Sequence, residues 1–407
     1  MASNSSIRER EPSAAGRAAS LEFRHVSKTY GSFGQPTDLA ADLDPGSVGA
    51  AERQMPRGRP AKRDVPAAVE DLSFTVPAGA ICVLVGPSGC GKTTSLKMVN
   101  RLIEPTGGEI LLDDVSVISQ NVTELRRRIG YVIQQVGLFP HLTVGENVAV
   151  VPSLQGWDGR RKAARTRELL DLVGLNPATY ERRYPSQLSG GERQRVGVAR
   201  ALAADPPVML MDEPFAAVDP IARERLQDEF LRLQRELAKT ILFVTHDIDE
   251  AVKMGDLIAV MNHGRLVQFG PPDRILAQPA SDFVAALVGA DRGLKRLSLR
   301  TVGDLRPEPL AERATDGASV EDLPRFGPTT KLRDALSALL AADTRGGIAL
   351  DDADKPRGLV TVDAIASALN AEVATGPAIS AARERARQPT TTSVPGLNQA
   401  PNQAPKP

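Results

Sequence analysis

Three short stretches carry residues whose types and spacing suit one chemistry. In "VLVGPSGCGKTT", Gly86, Pro87, Ser88, Gly89, Cys90 and Gly91 run into Lys92, Thr93 and Thr94, spelling G-x-x-x-x-G-K-T. The apolar run before it reads as a strand and the residues after it as a helix, the setting a phosphate loop requires. Glycines let the backbone turn several N–H groups inward around an anion, and the next helix adds its positive end. Lys92 is expected to reach the β- and γ-phosphates of a nucleoside triphosphate, and the Thr93 hydroxyl to hold Mg²⁺. In "PVMLMDEP" the apolar run Val208–Met211 ends in Asp212 and Glu213. Asp212 is placed to assist Mg²⁺, and Glu213 to polarise an attacking water as general base. In "LSGGERQRVGVARAL", Ser189 with Glu192 three residues on reads as a capping box at a helix start. The same serine with Gly190 and Gly191 also reads as a second anion cradle, too far along the chain to serve the loop of its own subunit.

The bulk composition bounds what such a site can serve. A chain of 407 residues is long for one domain, and two domains with linkers are expected. Basic and acidic residues cancel at 50 each, so no overall field points to nucleic acid. Cys82 and Cys90 are the only cysteines, too few for a disulfide framework or a zinc site, and a reducing compartment fits them. No apolar run reaches the ~18 residues of a membrane span, and the polar start lacks a signal-peptide core. A soluble or peripheral protein is expected, with any membrane spans supplied by a partner.

The elements that must position these residues emerge from the pattern. Residues 1–20 read as a disordered tail and Leu21–Tyr30 as a strand. Residues 32–66, with Pro36, Pro45, Pro56, Pro60 and Pro66 and little apolar content, read as a disordered insertion looped out of a hairpin. The fold resumes at Ala68–Val76, and further apolar runs are "AICVLV", "GEILL", "IGYVI", "PVMLM", "TILFVT", "DLIAVM" and "GRLVQF". Between them, Leu226, Phe230, Leu233 and Leu237 recur at helical spacing. Apolar strands alternating with helices predict an α/β fold with a mainly parallel sheet covered on both faces. Residues 136–205 read as a helical subdomain inserted into it. The nucleotide-binding domain is thus set at 21–270, linker helices at 271–300, a small α+β unit at 301–370, and a disordered tail at 371–407.

The combination of LSGG-x-x-Q-R with the strand ending in Asp212 and Glu213 resembles the signature of ATP-binding cassette (ABC) ATPases. The resemblance implies a P-loop cassette with an antiparallel β-subdomain and an inserted helical subdomain. It implies a homodimer in which Ser189 and Gly191 of one protomer close on the ATP held by Lys92 of the other. It further implies that Gln134 is the glutamine contacting Mg²⁺ and water, with Gln135 beside it; spacing to Pro140–His141 selects Gln134. Asp219 in "AAVDP" resembles the family's D-loop aspartate, although the family more often has Leu where Val218 stands. His246 in "FVTHD" resembles the switch histidine at the γ-phosphate. Tyr30 resembles the aromatic that stacks on adenine.

Longer stretches, "LKMVNRLIEPTGGEI", "IGYVIQQVGLFPHLTVGENV", "VPSLQGW" and "FVAALVGADRGLKRLSL", resemble ATPase subunits of bacterial osmoprotectant importers. That resemblance implies a peripheral position on the cytoplasmic face of the cell membrane, integral-membrane permease partners, and indirectly a binding protein. The solutes it implies are glycine betaine, choline, carnitine or proline betaine. An amino-acid importer ATPase is the alternative. A soluble DNA-repair or translation ATPase would show a long coiled insertion or tandem cassettes, and a binder without turnover would not need Glu213 and His246. Residues 301–370 resemble a single CBS repeat, either a passive dimerisation appendage or a sensor of ionic strength or nucleotide.

Overall fold

The computed structural model describes residues 18–30, 67–134, 137–216, 218–308 and 323–370. The insertion expected at 32–66 and the tail expected at 371–407 lie outside these residues, as does most of the tail expected at 1–20. The fold begins earlier than expected: Ala19 is buried and its carbonyl accepts the Thr240 hydroxyl at 2.6 Å.

The first sheet is antiparallel and holds β1 (Leu21–Lys28), β2 (Val69–Val76), β4 (Gly107–Leu112) and β5 (Val115–Ser116) in the order β2-β1-β4-β5. The second is the one that positions the site. It holds β3 (Ile81–Val85), β6 (Ile129–Val132), β7 (Val208–Asp212), β8 (Thr240–Thr245), β9 (Leu257–Asn262) and β10 (Arg265–Gly270). Its order is β10-β9-β3-β8-β7-β6, parallel throughout except for the antiparallel β9–β10 pair.

Burial explains why these strands are continuously apolar. Val83 and Val85, Met209 and Met211, and Ile241 and Phe243 point into one core; Cys82 and Leu84, Val208 and Leu210, and Leu242 and Val244 point into another. Successive side chains face opposite ways, so a strand covered on both sides needs apolar residues at every position. Each fully buried Leu, Val or Phe contributes roughly 1.5–3 kcal/mol. The antiparallel sheet is tied to this core by Phe74, stacked on Phe23 at 4.5 Å and tilted against Phe269 at 5.5 Å.

The cassette helices are α1 (Lys92–Val99), α2 (Val122–Arg127), α3 (Val144–Leu154), α4 (Gly159–Leu172), α5 (Pro177–Tyr180), α6 (Gly190–Leu202), α7 (Pro220–Leu237) and α8 (Ile248–Met254). Helices α3 to α6 form the strandless stretch expected between 136 and 205. Asp219 and Pro220 start α7: the aspartate side chain accepts from the Ala222 N–H at 3.0 Å, and proline occupies the first turn, where its missing N–H costs nothing.

The region set down as linker helices differs from expectation. Helices α9 (Pro272–Ala277) and α10 (Asp282–Val288) bury Ile275, Leu276, Val284 and Val288 in the cassette core. Helix α11 (Arg292–Leu299) buries Leu297 in the core of the C-terminal unit, so that unit begins before residue 301. Amphipathic spacing over eight residues announces a buried face but not which of two cores receives it. The unit itself has β11 (Arg325–Phe326), β12 (Gly346–Leu350) and β13 (Pro356–Thr361) in one sheet, with α12 (Leu332–Ala341) and α13 (Val362–Asn370). This is the strand, turn, strand and helix read from the sequence.

Candidate active site

The order of the parallel sheet gathers the chemistry. Strands β3, β8, β7 and β6 are successive neighbours, and the loops leaving their carboxyl ends carry residues 86–91, His246, Glu213 and Gln134. Crevices beyond the carboxyl ends of such strands are where α/β sheets bind ligands.

The phosphate loop is shaped by contacts only glycine permits. At Gly86, with φ 153°, a Cβ would lie 2.1 Å from the Met261 carbonyl oxygen; at Gly91, with φ 102°, one would lie 2.4 Å from that of Ala68. Lys92 is buried, and its ammonium donates to the carbonyls of Gly86 at 2.7 Å and Pro87 at 2.9 Å, so its charge sits inside the loop. The Cys90 thiol is buried beside it, and burial raises its pKa more than the nearby Lys92 charge lowers it. That thiol is held neutral.

Thr93 reaches across to the next motif, its hydroxyl donating to Asp212 Oδ1 at 2.9 Å. Burial raises the Asp212 pKa, opposed by Thr93 and by Lys97 and Lys92. A carboxylate and a hydroxyl oxygen this close, in a buried setting that makes the negative charge costly, fit a hard divalent cation such as Mg²⁺. Among the described residues no separate cluster of histidine, cysteine and carboxylates forms another metal site.

Glu213 comes directly after Asp212 in a left-handed backbone conformation, φ 46°, unusual for a residue with a side chain. Its N–H donates to the Val244 carbonyl at 2.9 Å, fixing the turn. Its carboxylate meets two groups from neighbouring strands: Gln134 Nε2 donates to Oε2 at 3.1 Å, and His246 Nδ1 lies 3.3 Å from Oε1. Lys92, Thr93, Asp212, Glu213, Gln134 and His246, read from four separate stretches, therefore converge.

The remaining expected residues make other contacts in the protomer. Ser189 caps α6, forming with Glu192 the capping box read from the sequence; the Ser189 N–H donates to Glu192 Oε2 at 2.7 Å. Asp219 caps α7. Among the described residues, no hydrogen bond or ion pair joins Ser189, Gly190, Gly191 or Asp219 to the phosphate loop. Tyr30 is exposed, with Lys28 Nζ 5.2 Å from its ring centroid. Gln135 lies outside the described residues, whereas Gln134 has its partner.

Sequence reasoning missed the groups that brace the loop after Gln134. Asn147 is fully buried on α3; its amide donates to the carbonyls of Phe139 at 3.1 Å and Leu142 at 3.0 Å, and its oxygen accepts from the Phe139 N–H at 2.8 Å. Arg200 on α6 donates to the Gly137 carbonyl at 2.7 Å. A lone asparagine among the apolar positions of α3 was the one signal available. Glu250 was also missed: it is buried on α8, accepts from Gln227 Nε2 at 3.0 Å, and has a pKa raised by burial.

A protein-family model described as ABC transporter matches residues 69–216. The chain is 49% identical over 304 residues to the osmoprotectant import ATP-binding protein OsmV of Salmonella typhimurium, covering 75% of each chain. It is 50% identical over 276 residues to the glycine betaine uptake system ATP-binding protein YehX of Escherichia coli, covering 67% of this chain and 86% of that one. It is 53% identical over 225 residues to the glycine betaine/carnitine/choline transport ATP-binding protein OpuCA of Bacillus subtilis, where it spans 55% of this chain and 59% of the relative. Among solved structures, the dimeric structure of a bacterial ABC transporter cassette matches with TM-score 0.50 and 29% identity, over 62% of this chain and 98% of that one.

Proposed function

The chain belongs to the ABC transporter ATPases, and from that premise we propose that it hydrolyses MgATP as the energising subunit of an importer for quaternary-amine osmoprotectants. The observation that carries the hydrolytic reading is the convergence of Lys92 and Thr93, Asp212 and Glu213, His246 and Gln134 at the ends of four adjacent strands.

In this reading the phosphate-loop N–H groups and Lys92 hold the β- and γ-phosphates, and Lys92 exchanges loop carbonyls for phosphate oxygens. Thr93 and Asp212, with Gln134, would hold Mg²⁺, which would neutralise charge on the phosphates. Glu213 accepts a proton from the attacking water, while Gln134 orients that carboxylate and the water. His246, on the other carboxylate oxygen, is positioned to donate to the γ-phosphate. Such catalysis is positioning and charge stabilisation, so losing one group costs roughly 10²–10³ in rate.

Ser189 and Gly191 complete the site of a second copy. This gives two composite ATP sites per homodimer, with Asp219 near the shared boundary and Tyr30 stacking on adenine. No helix among the described residues is long and apolar enough to cross a membrane, which fits a peripheral subunit on the cytoplasmic face serving a separate permease. Short cytoplasmic helices of the permease would dock near residues 136–146, just after Gln134, where Phe139 is exposed. A solute-binding protein would deliver the solute to that permease. The names of the relatives support glycine betaine, choline, carnitine or proline betaine as solutes, and the C-terminal unit is read as CBS-like.

The test is Glu213→Gln in the chain purified with its permease. Binding of MgATP should persist while turnover falls by roughly 10²–10³. Near-normal turnover would remove Glu213 as the base. Uptake assays with glycine betaine, choline, carnitine and proline betaine against amino acids decide the solute.

A further inference from the structure

Helix α11 is gripped from both sides. On the cassette side, Lys295 Nζ pairs with Asp249 Oδ1 at 3.0 Å, in the first turn of α8, and with Asp291 at 3.2 Å, and it donates to the Val288 carbonyl at 3.0 Å. Arg296 Nε pairs with Asp273 on α9 at 2.7 Å. On the other side, Arg296 donates to the Leu369 carbonyl at 2.5 Å and Arg300 to that of Ala368, both at the end of α13. Leu297 lies in the core of the C-terminal unit, and Leu299 packs against the cassette core. An eight-residue helix is stiff, so the two sets of anchors move together.

The cassette end of this connection touches the catalytic strand end. His246 directly precedes Asp247, the N-cap of α8, whose carboxylate accepts from the N–H of Asp249 at 2.8 Å and of Glu250 at 3.3 Å. The Asp247 N–H donates to the Thr245 hydroxyl at 3.1 Å. The backbone carrying His246 is therefore fixed by the first turn of α8, and Lys295 holds that turn by its outer carboxylate. The Lys295 side chain is only 12% exposed; burial opposes its charge, but the two carboxylates outweigh it and raise its pKa. The lysine is covered while the Asp249 carboxylate is 67% exposed, so the tie is a modest, salt-sensitive one that acts by holding position.

We propose that Lys295 is a positioning residue for the switch histidine, and that α11 transmits the placement of the C-terminal unit to the hydrolysis site through the Lys295–Asp249 contact. This rests on the ATPase reading of the site. A shift of the unit draws α11 with it, loosens the first turn of α8, and lets His246 leave Glu213. The unit acts on the chemical step rather than on nucleotide binding, because Lys92 and its loop touch none of these groups.

The test uses the full chain with its permease. Wild-type MgATP turnover is measured first; its absence would overturn the ATPase reading itself, an outcome separate from any effect of Lys295. Lys295→Gln is expected to lower kcat several-fold with KM for ATP unchanged, and to speed amide exchange across residues 246–254. Asp249→Asn should do the same, and the double variant should cost no more than either alone. Lys295→Arg should keep near-wild-type kcat, whereas Lys295→Met, which keeps the apolar stem but not the charge, should lower it as Lys295→Gln does. Arg300→Gln, which frees the Ala368 carbonyl of α13 and also removes the 3.6 Å ion pair to Asp273 on α9, should likewise lower kcat at constant KM. Wild-type kcat in Lys295→Gln, or a change confined to Tm, overturns the positioning role; a kcat effect from Lys295→Gln but none from Arg300→Gln overturns transmission from the unit.

Discussion

Glu213 and Glu250 are both carboxylates near His246, yet the backbone and burial assign them different work. Glu213 is thrown out of its strand by a left-handed turn and meets Gln134 and His246. Glu250 is buried against Gln227, and burial raises its pKa. A raised folded-state pKa means the folded protein holds that proton more tightly than the unfolded chain does. The corresponding stability is present below the ordinary carboxylate pKa and is lost as pH rises through the raised one. Glu250→Gln keeps an oxygen for Gln227 and cannot ionise. It is therefore expected to raise Tm more at pH 8 than at pH 5, read by thermal melts of both proteins; an equal shift at the two pH values would contradict this. Gly86→Ala makes a second residue-scale prediction. The added Cβ meets the Met261 carbonyl in a backbone region that favours glycine, so ATP binding measured by calorimetry should be lost.

At the scale of elements, α6 separates a capping role from a ligand role. Ser189 caps the helix through the Glu192 N–H at 3.3 Å. Ser189→Asp preserves an N-cap of similar quality, so stability should change little. In the proposed dimer the same change would set a negative charge against the phosphates of the partner's nucleotide, and turnover should fall at least about tenfold, or ~1.4 kcal/mol in barrier. Unchanged turnover would leave Ser189 a cap alone. Helix α7 is a packing element by contrast. Phe230 is buried and meets Phe215 edge-on at 6.3 Å, so Phe230→Ala should cost about 3–5 kcal/mol in a denaturant titration. The elements themselves were legible. Helical spacing of Leu226, Phe230 and Leu233 and the unbroken apolar runs of β3, β7 and β8 are local signals of burial. Helix α11 was less so, because its buried side serves two cores and its charged residues look like an ordinary solvated face.

At the scale of the whole molecule, the proposed homodimer has Ser189 and Gly191 of one protomer serving the phosphate loop of the other. Glu213→Gln with MgATP is expected to run at twice the protomer mass in light scattering, and without nucleotide at the protomer mass; a single mass in both conditions would remove the composite site. The permease docking proposed beside Gln134 gives another whole-molecule prediction. Arg200 ties α6 to the Gly137 carbonyl just after Gln134. Arg200→Ala should uncouple transport, measured as solute uptake per ATP hydrolysed, more than it lowers basal turnover.

By itself, the order of residues along this chain determined the phosphate loop, the Asp212–Glu213 pair, the Ser189 cap and the alternation of strands and helices. Each depends on neighbours within a dozen positions, where backbone geometry and side-chain period leave a direct imprint. Only the tertiary structure decided that β3, β8, β7 and β6 lie side by side, bringing residues 92, 134, 213 and 246 together, and that Asn147 and Arg200 hold the loop after Gln134. Strand order and such bracing depend on which apolar faces find each other across more than a hundred residues. Contacts of that range are selected by the packing of the whole core, and no local stretch records them.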